Sequence, residues 1–130
     1  MRERPLSPHL SVYKFKYTLL TSILNRLTGL ALSLGLLLFV YWLTALSRGA
    51  NAYNAALPLL SGGAAKVLYA LLLVAFCYHL LAGLRHLLWD TGRAMERAQA
   101  YRSSWMLGGA TAILALVLGY YLLCPVAGVP

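Results

Sequence analysis

The stretch AAKVLYALLLVAFCYHLLAGLRHLLWD, Ala64–Asp90, decides the fold. At about 1.5 Å per residue it is long enough to cross the roughly 30 Å hydrocarbon core of a bilayer. It is apolar almost throughout, yet its second half holds two histidines, an arginine and an aspartate. A polar group in hydrocarbon is costly, so each of the four needs a partner or a task. On a helix turning about 100° per residue, His79, Gly83, His86 and Asp90 are spaced 4, 3 and 4 apart and share one face. They form a stripe that starts at one membrane interface with Asp90 and runs inward to His79, about 16 Å deeper. Arg85 points elsewhere, near enough to the interface for its stem to snorkel.

Two further runs reach spanning length on either side of this one. Of the 130 residues, 61% are hydrophobic and only 11% charged, whereas a soluble domain carries about 25% charged residues. That composition excludes a soluble globular domain. The expected fold is all-α and integral to the membrane, with three transmembrane helices in an up-down-up arrangement, part of a multi-subunit helical bundle. The expected boundaries are an N-terminal segment over 1–20, helices over 21–46, 64–89 and 104–124, connectors over 47–63 and 90–103, and a tail over 125–130. The first connector, SRGANAYNAALPLLSGG, reads as a loop with a short interfacial turn, because Asn, Pro and Gly punctuate it.

The net charge of +8 does not point to nucleic acid, because the basic residues flank the apolar runs. Arg2, Arg4, Lys14 and Lys16 precede the first run, and Arg93, Arg97 and Arg102 lie between the second and third. The first connector offers only Arg48 and Lys66, and the tail none. Basic loops stay inside, so the N-terminus is expected in the cytoplasm and the C-terminus outside. Trp42, Trp89, Trp105, Tyr120 and Tyr121 fall near the ends of the runs, as interfacial aromatics do. The N-terminal segment reads neither as a signal peptide nor as an import presequence, and a bacterial inner membrane is the expected location. Cys77 and Cys124 form no metal-binding or disulfide pattern, and Cys77 reads as a packing residue.

The first run repeats the polar pattern in the opposite direction. Ser22, Arg26, Gly29 and Ser33 are again spaced 4, 3 and 4 apart. If Ser22 and Asp90 are level, Arg26 and His86 share a depth and His79 lies deeper. His79 reads either as an interhelical hydrogen-bonding residue or as an axial haem ligand, with Gly83 leaving room for a flat group one turn along. His79 and His86 stand on one helix face about 10 Å apart, so they cannot bracket one iron, and His9 is too far away in the tail. A second imidazole ligand would have to come from another copy or another protein. Arg26 reads as a snorkelling anchor or as the partner of an anion, such as a haem propionate or a polarised quinone carbonyl. Ser22 reads as a helix-start hydroxyl or a ligand contact, and Asp90 as the partner of Arg93, Arg97 or His86. In the third run, Gly108, Ala112, Ala115 and Gly119 share a face that reads as close helix packing.

Three motifs carry a resemblance. RPLSPHLSVYKF, Arg4–Phe15, is similar to an opening RPLSPHLxIY; SILNRLTG, Ser22–Gly29, to S-I-x-H-R-x-S/T-G; and HLLAGLRHLLWD, His79–Asp90, to H-x-x-x-G-x-R-H-x-x-x-D. Together with the three-run layout, the chain resembles the larger cytochrome-b membrane-anchor subunits of succinate dehydrogenase, respiratory complex II. The resemblance implies that His79 binds haem b axially, with the second histidine supplied by a smaller anchor subunit. It implies that Arg26 and His86 lie near the haem propionates, that Ser22 and Arg26 line a quinone pocket, and that Asp90 lies near its end. It implies partners too: a flavoprotein subunit carrying FAD, an iron–sulfur subunit, and ubiquinone or menaquinone as electron acceptor. No catalytic residue is implied in this chain, and no nucleic acid. One departure stands out, Asn25 where the family often has histidine. Two other readings are a fumarate reductase anchor and a non-redox helical assembly subunit whose polar stripe is interhelical glue.

Overall fold

The computed structural model describes residues 16–123, all helix and short joints, with no strand among them. The Arg4–Phe15 motif, with Arg2, His9 and Lys14, and the tail with Cys124 lie outside the described residues. The helices are α1 Tyr17–Ser47, α2 Ala50–Ser61, α3 Gly63–Asp90 and α4 Arg97–Leu123. Helices α1, α3 and α4 are long and apolar enough to cross a membrane. With 31 residues, α1 is about 46 Å long at 1.5 Å per residue, so it tilts or projects beyond the hydrocarbon.

Local chemistry sets the helix ends. Lys16 is extended, and its carbonyl accepts the first helical hydrogen bonds from Leu19 and Leu20. At the other end Gly49 turns the chain with φ +91°, a conformation open to glycine and strained for other residues. The first connector is not the expected loop. Twelve of its residues form α2, which continues through Pro58. Its alanines and leucines outweigh the breakers because they have something to bury against. Ala56 and Leu60 pack on Ala45 of α1, flanked by Leu38 and Trp42, and Tyr69 of α3 donates from its hydroxyl to the Leu60 carbonyl at 2.9 Å. Between α3 and α4 the chain reverses through Gly92 and Ala94, both with positive φ.

The three long helices run up, down and up. Their seam is filled by Tyr78 and Ala82 of α3 and Leu107 of α4, packed on Leu24 of α1 and Leu81 of α3. Cys77 is fully buried beside them and is a free thiol, consistent with packing. On α4 the buried positions are Ser104, Leu107 and Thr111. The small residues Gly108, Ala115 and Gly119 lie half-buried beside that face, and Ala112 is exposed, so the expected packing stripe is rotated. Tyr17 stacks on Trp105 with ring centroids 4.4 Å apart, joining the start of α1 to α4. Most remaining leucines face outward; Leu27, Leu30, Leu34 and Leu37 of α1 are each more than half exposed. Such surface suits lipid or other helices and is incompatible with water.

Candidate functional site

The register between α1 and α3 places every polar residue of the site. Gly29 lies directly against the His79 ring, and Gly35 against Leu72. Counting along the antiparallel pair, Ser22 is therefore level with about His86, and Arg26 with about Ala82. Asp90 falls a turn nearer the membrane surface, beside the start of α1. This corrects the expected pairing of Ser22 with Asp90 and of Arg26 with His86. Arg26 instead sits at a depth between the two histidines. The spacing rule identifies faces, and depth depends on which small residues let the backbones approach.

His79 is the best-defined member. It is half-buried, and its Nδ1 lies 3.1 Å from the Asn25 carbonyl oxygen of α1. A carbonyl only accepts, so Nδ1 carries the proton and donates. The Thr28 hydroxyl lies 3.4 Å from the same nitrogen while donating to the Leu24 carbonyl at 2.8 Å. With Nδ1 protonated, Nε2 keeps its lone pair free. A metal-binding histidine is held in this way, one nitrogen tied to a carbonyl and the other presented to the metal. Gly29 completes the cradle, since a Cβ there would come within 2.9 Å of the His79 Cε1. One turn along α3, half-buried Gly83 has nothing within 4 Å of where its Cβ would stand. The residues present therefore fit a haem, which His79 would hold through Nε2 with Gly83 leaving open space beside it. Among the described residues the only other histidine is His86, on the same helix, so a second imidazole, if a haem needed one, would come from outside them.

The remaining expected residues stand apart from one another. Ser22 is half-buried, while Arg26, His86 and Asp90 are exposed on the bundle surface, and no hydrogen bond or ion pair joins any two of them among the described residues. Most hydroxyls of α1 bond back to their own helix, as Thr21, Thr28, Ser33, Thr44 and Ser47 do. Ser22 does not, which leaves its hydroxyl available to a ligand. Asn25 differs in kind. Its carbonyl holds His79, while its side-chain Oδ1 is buried without a partner among the described residues.

Residue spacing left Arg85 in the wrong place. It does not snorkel; it folds inward and bonds to both neighbouring helices. Thr28 and Gly29 were also missed as parts of the histidine cradle, although both lie in the SILNRLTG motif.

Residues 1–118 match the family described as succinate dehydrogenase/fumarate reductase transmembrane subunit. The chain belongs to that family. It is 40% identical over 114 residues to the succinate dehydrogenase cytochrome b556 subunit of Paracoccus denitrificans, covering 88% of each chain. It is 36% identical over 119 residues to the cytochrome b560 subunit of Reclinomonas americana, covering 88% of this chain and 83% of that one. It is 35% identical over 116 residues to the mitochondrial cytochrome b560 subunit of Mus musculus, covering 88% and 66% respectively. Family membership and three apolar spans together make this a multi-pass membrane protein, and the family's title leaves succinate dehydrogenase and fumarate reductase both open.

Proposed function

We propose that this chain is the cytochrome b membrane-anchor subunit of a succinate:quinone oxidoreductase, holding haem b jointly with a smaller anchor subunit. The observation that carries the haem reading is the His79 cradle: a donated Nδ1, a free Nε2 and two glycines clearing space around the ring and beyond it. Relatives named as cytochrome b subunits of succinate dehydrogenase support the assignment to succinate rather than fumarate. Haem, when bound, supplies a one-electron redox centre whose potential follows its ligands and surroundings. The protein's own contribution is to fix the tautomer and plane of His79, with Arg26 and His86 offering positive or hydrogen-bonding groups toward the propionate edge.

Quinone binding rests on the interfacial end of α1. Among the described residues, Ser22 offers a hydroxyl and Arg26 a guanidinium without a hydrogen-bond partner, on neighbouring turns of the helix. Both donate to a quinone carbonyl and stabilise the negative charge that builds on its oxygen during reduction. Asp90 lies toward the end of that pocket. FAD and the iron–sulfur clusters belong to the flavoprotein and iron–sulfur partner subunits, which dock on the side bearing Arg93, Arg97 and Arg102. That side is the cytoplasm of a bacterial cell, with the N-terminus on it.

The test is a dithionite-reduced minus air-oxidised spectrum of the complex purified through this chain in mild detergent, beside His79→Ala. A b-type difference spectrum that disappears in the variant is the expected result. Partners that co-purify without any haem signal from the unsubstituted chain would reduce the reading to a haem-free anchor.

A further inference from the structure

The structure links the seam of the bundle to the exposed His86 through two side chains that have no part in the proposed site. Arg85 is half-buried. One terminal nitrogen donates to the Thr21 hydroxyl of α1 at 3.4 Å; the other donates on α4 to the Ser104 hydroxyl at 2.9 Å and the Ala100 carbonyl at 3.3 Å. Ser104 is fully buried and itself donates to the Ala100 carbonyl, so the guanidinium is pinned from two helices. Its carbon lies 4.1 Å from the centroid of the Trp89 ring. On the same ring sits the His86 imidazole, edge to face, with centroids 5.2 Å apart and planes at 79°.

We infer that Arg85 is a positioning residue for His86, acting through Trp89. The inference rests on the proposed function above, in which His86 faces the haem edge. A tryptophan at a membrane interface is free to turn its ring toward the headgroups. Here the ring is held under a guanidinium, and its Nε1 is buried with no acceptor among the described residues. A clamped ring limits the rotamers of the imidazole against it, and His86 has no hydrogen-bond partner among the described residues to do so instead. The planar fork of arginine is what allows one side chain to bond to two helices while stacking on a ring; lysine lacks that geometry. A plain interhelical rivet would need only the bonds to Thr21 and Ser104, and would leave His86 indifferent to Arg85.

A double-mutant cycle on the purified complex separates these readings, with the haem midpoint potential as readout. His86→Ala is expected to shift the potential. Arg85→Lys and Trp89→Leu are expected to shift it as well, by roughly three- to tenfold in the reduction equilibrium, where tenfold is about 59 mV for one electron. In the His86→Ala background, Arg85→Lys should add nothing further. An Arg85→Lys shift that simply adds to that of His86→Ala, or no shift in the assembled complex, overturns the inference. Should Arg85→Lys fail to assemble, Ser104→Ala removes the hydroxyl that accepts from Arg85 and donates to the Ala100 carbonyl, while keeping the guanidinium, and runs the same cycle. Its shift must likewise vanish without His86, and an additive or absent effect again overturns the inference. If His86→Ala itself leaves the potential unchanged, the placement of His86 at the haem edge falls too, whereas loss of coupling alone leaves that placement standing.

Discussion

A carbonyl oxygen has no proton to give, and that fact settles the state of His79. The imidazole must donate from Nδ1 to the Asn25 carbonyl, leaving the Nε2 lone pair free for the proposed haem. The cradle is tight enough to test by adding one carbon. Gly29→Ala would put a methyl 2.9 Å from the His79 Cε1, and overpacking of this kind costs about 1–3 kcal/mol. We expect the variant complex to assemble but to retain less haem per flavin, measured by pyridine haemochrome assay. Full haem occupancy would mean that the ring tolerates displacement and that the cradle is looser than its geometry suggests. The contact of His79 with a neighbouring helix was legible in the sequence as one of the two readings of an intramembrane histidine. The cradle was not legible, because Thr28 and Gly29 acquire meaning only when α1 is set at the correct depth against α3.

Helices α1, α3 and α4 announce themselves by apolar length, and any span of that kind is forced into a helix by the need to satisfy backbone groups in lipid. The short helix α2 has no such compulsion. Its asparagines and proline suggested a loop, and it is a helix because Ala56 and Leu60 find Ala45, Leu38 and Trp42 to pack against. One hydrogen bond ties it to α3, from the Tyr69 hydroxyl to the Leu60 carbonyl. Tyr69→Phe removes that bond and keeps the ring, so the expected loss is about 0.5–1.5 kcal/mol. The thermal midpoint of the complex should fall by a few degrees while the haem spectrum stays unchanged. An altered haem spectrum would show that α2 and the haem region are coupled through α3, against the separation of the two clusters in the fold. Depth was the other quantity that periodicity could not supply. A helical wheel fixes direction around an axis, whereas the level of Arg26 against Ala82 depends on contacts such as Gly35 against Leu72.

At the scale of the molecule, the charge distribution and the exposed apolar surface carry the remaining information. Arg93, Arg97 and Arg102 cluster at one end of the bundle, and α2 lies at the other. Single cysteines at two exposed positions, Gln99→Cys and Asn54→Cys, report the orientation. A membrane-impermeant maleimide should label Asn54→Cys in intact cells and Gln99→Cys only in inverted vesicles, with the unsubstituted chain as background. The reverse pattern would place the proposed partner subunits on the wrong side of the membrane. The class of fold was legible from composition and the length of the apolar runs, and the outward-facing leucines of α1 are surface for lipid or for further helices.

The tether on His79 has a mutational consequence. Its acceptor is main chain, so every residue type at position 25 offers the same oxygen, and a substitution there leaves the tautomer of His79 untouched. Substitutions that unsettle His79 are therefore expected away from position 25, among the small residues Gly29 and Gly35 that keep α1 and α3 in step, where an added methyl would crowd His79 or Leu72.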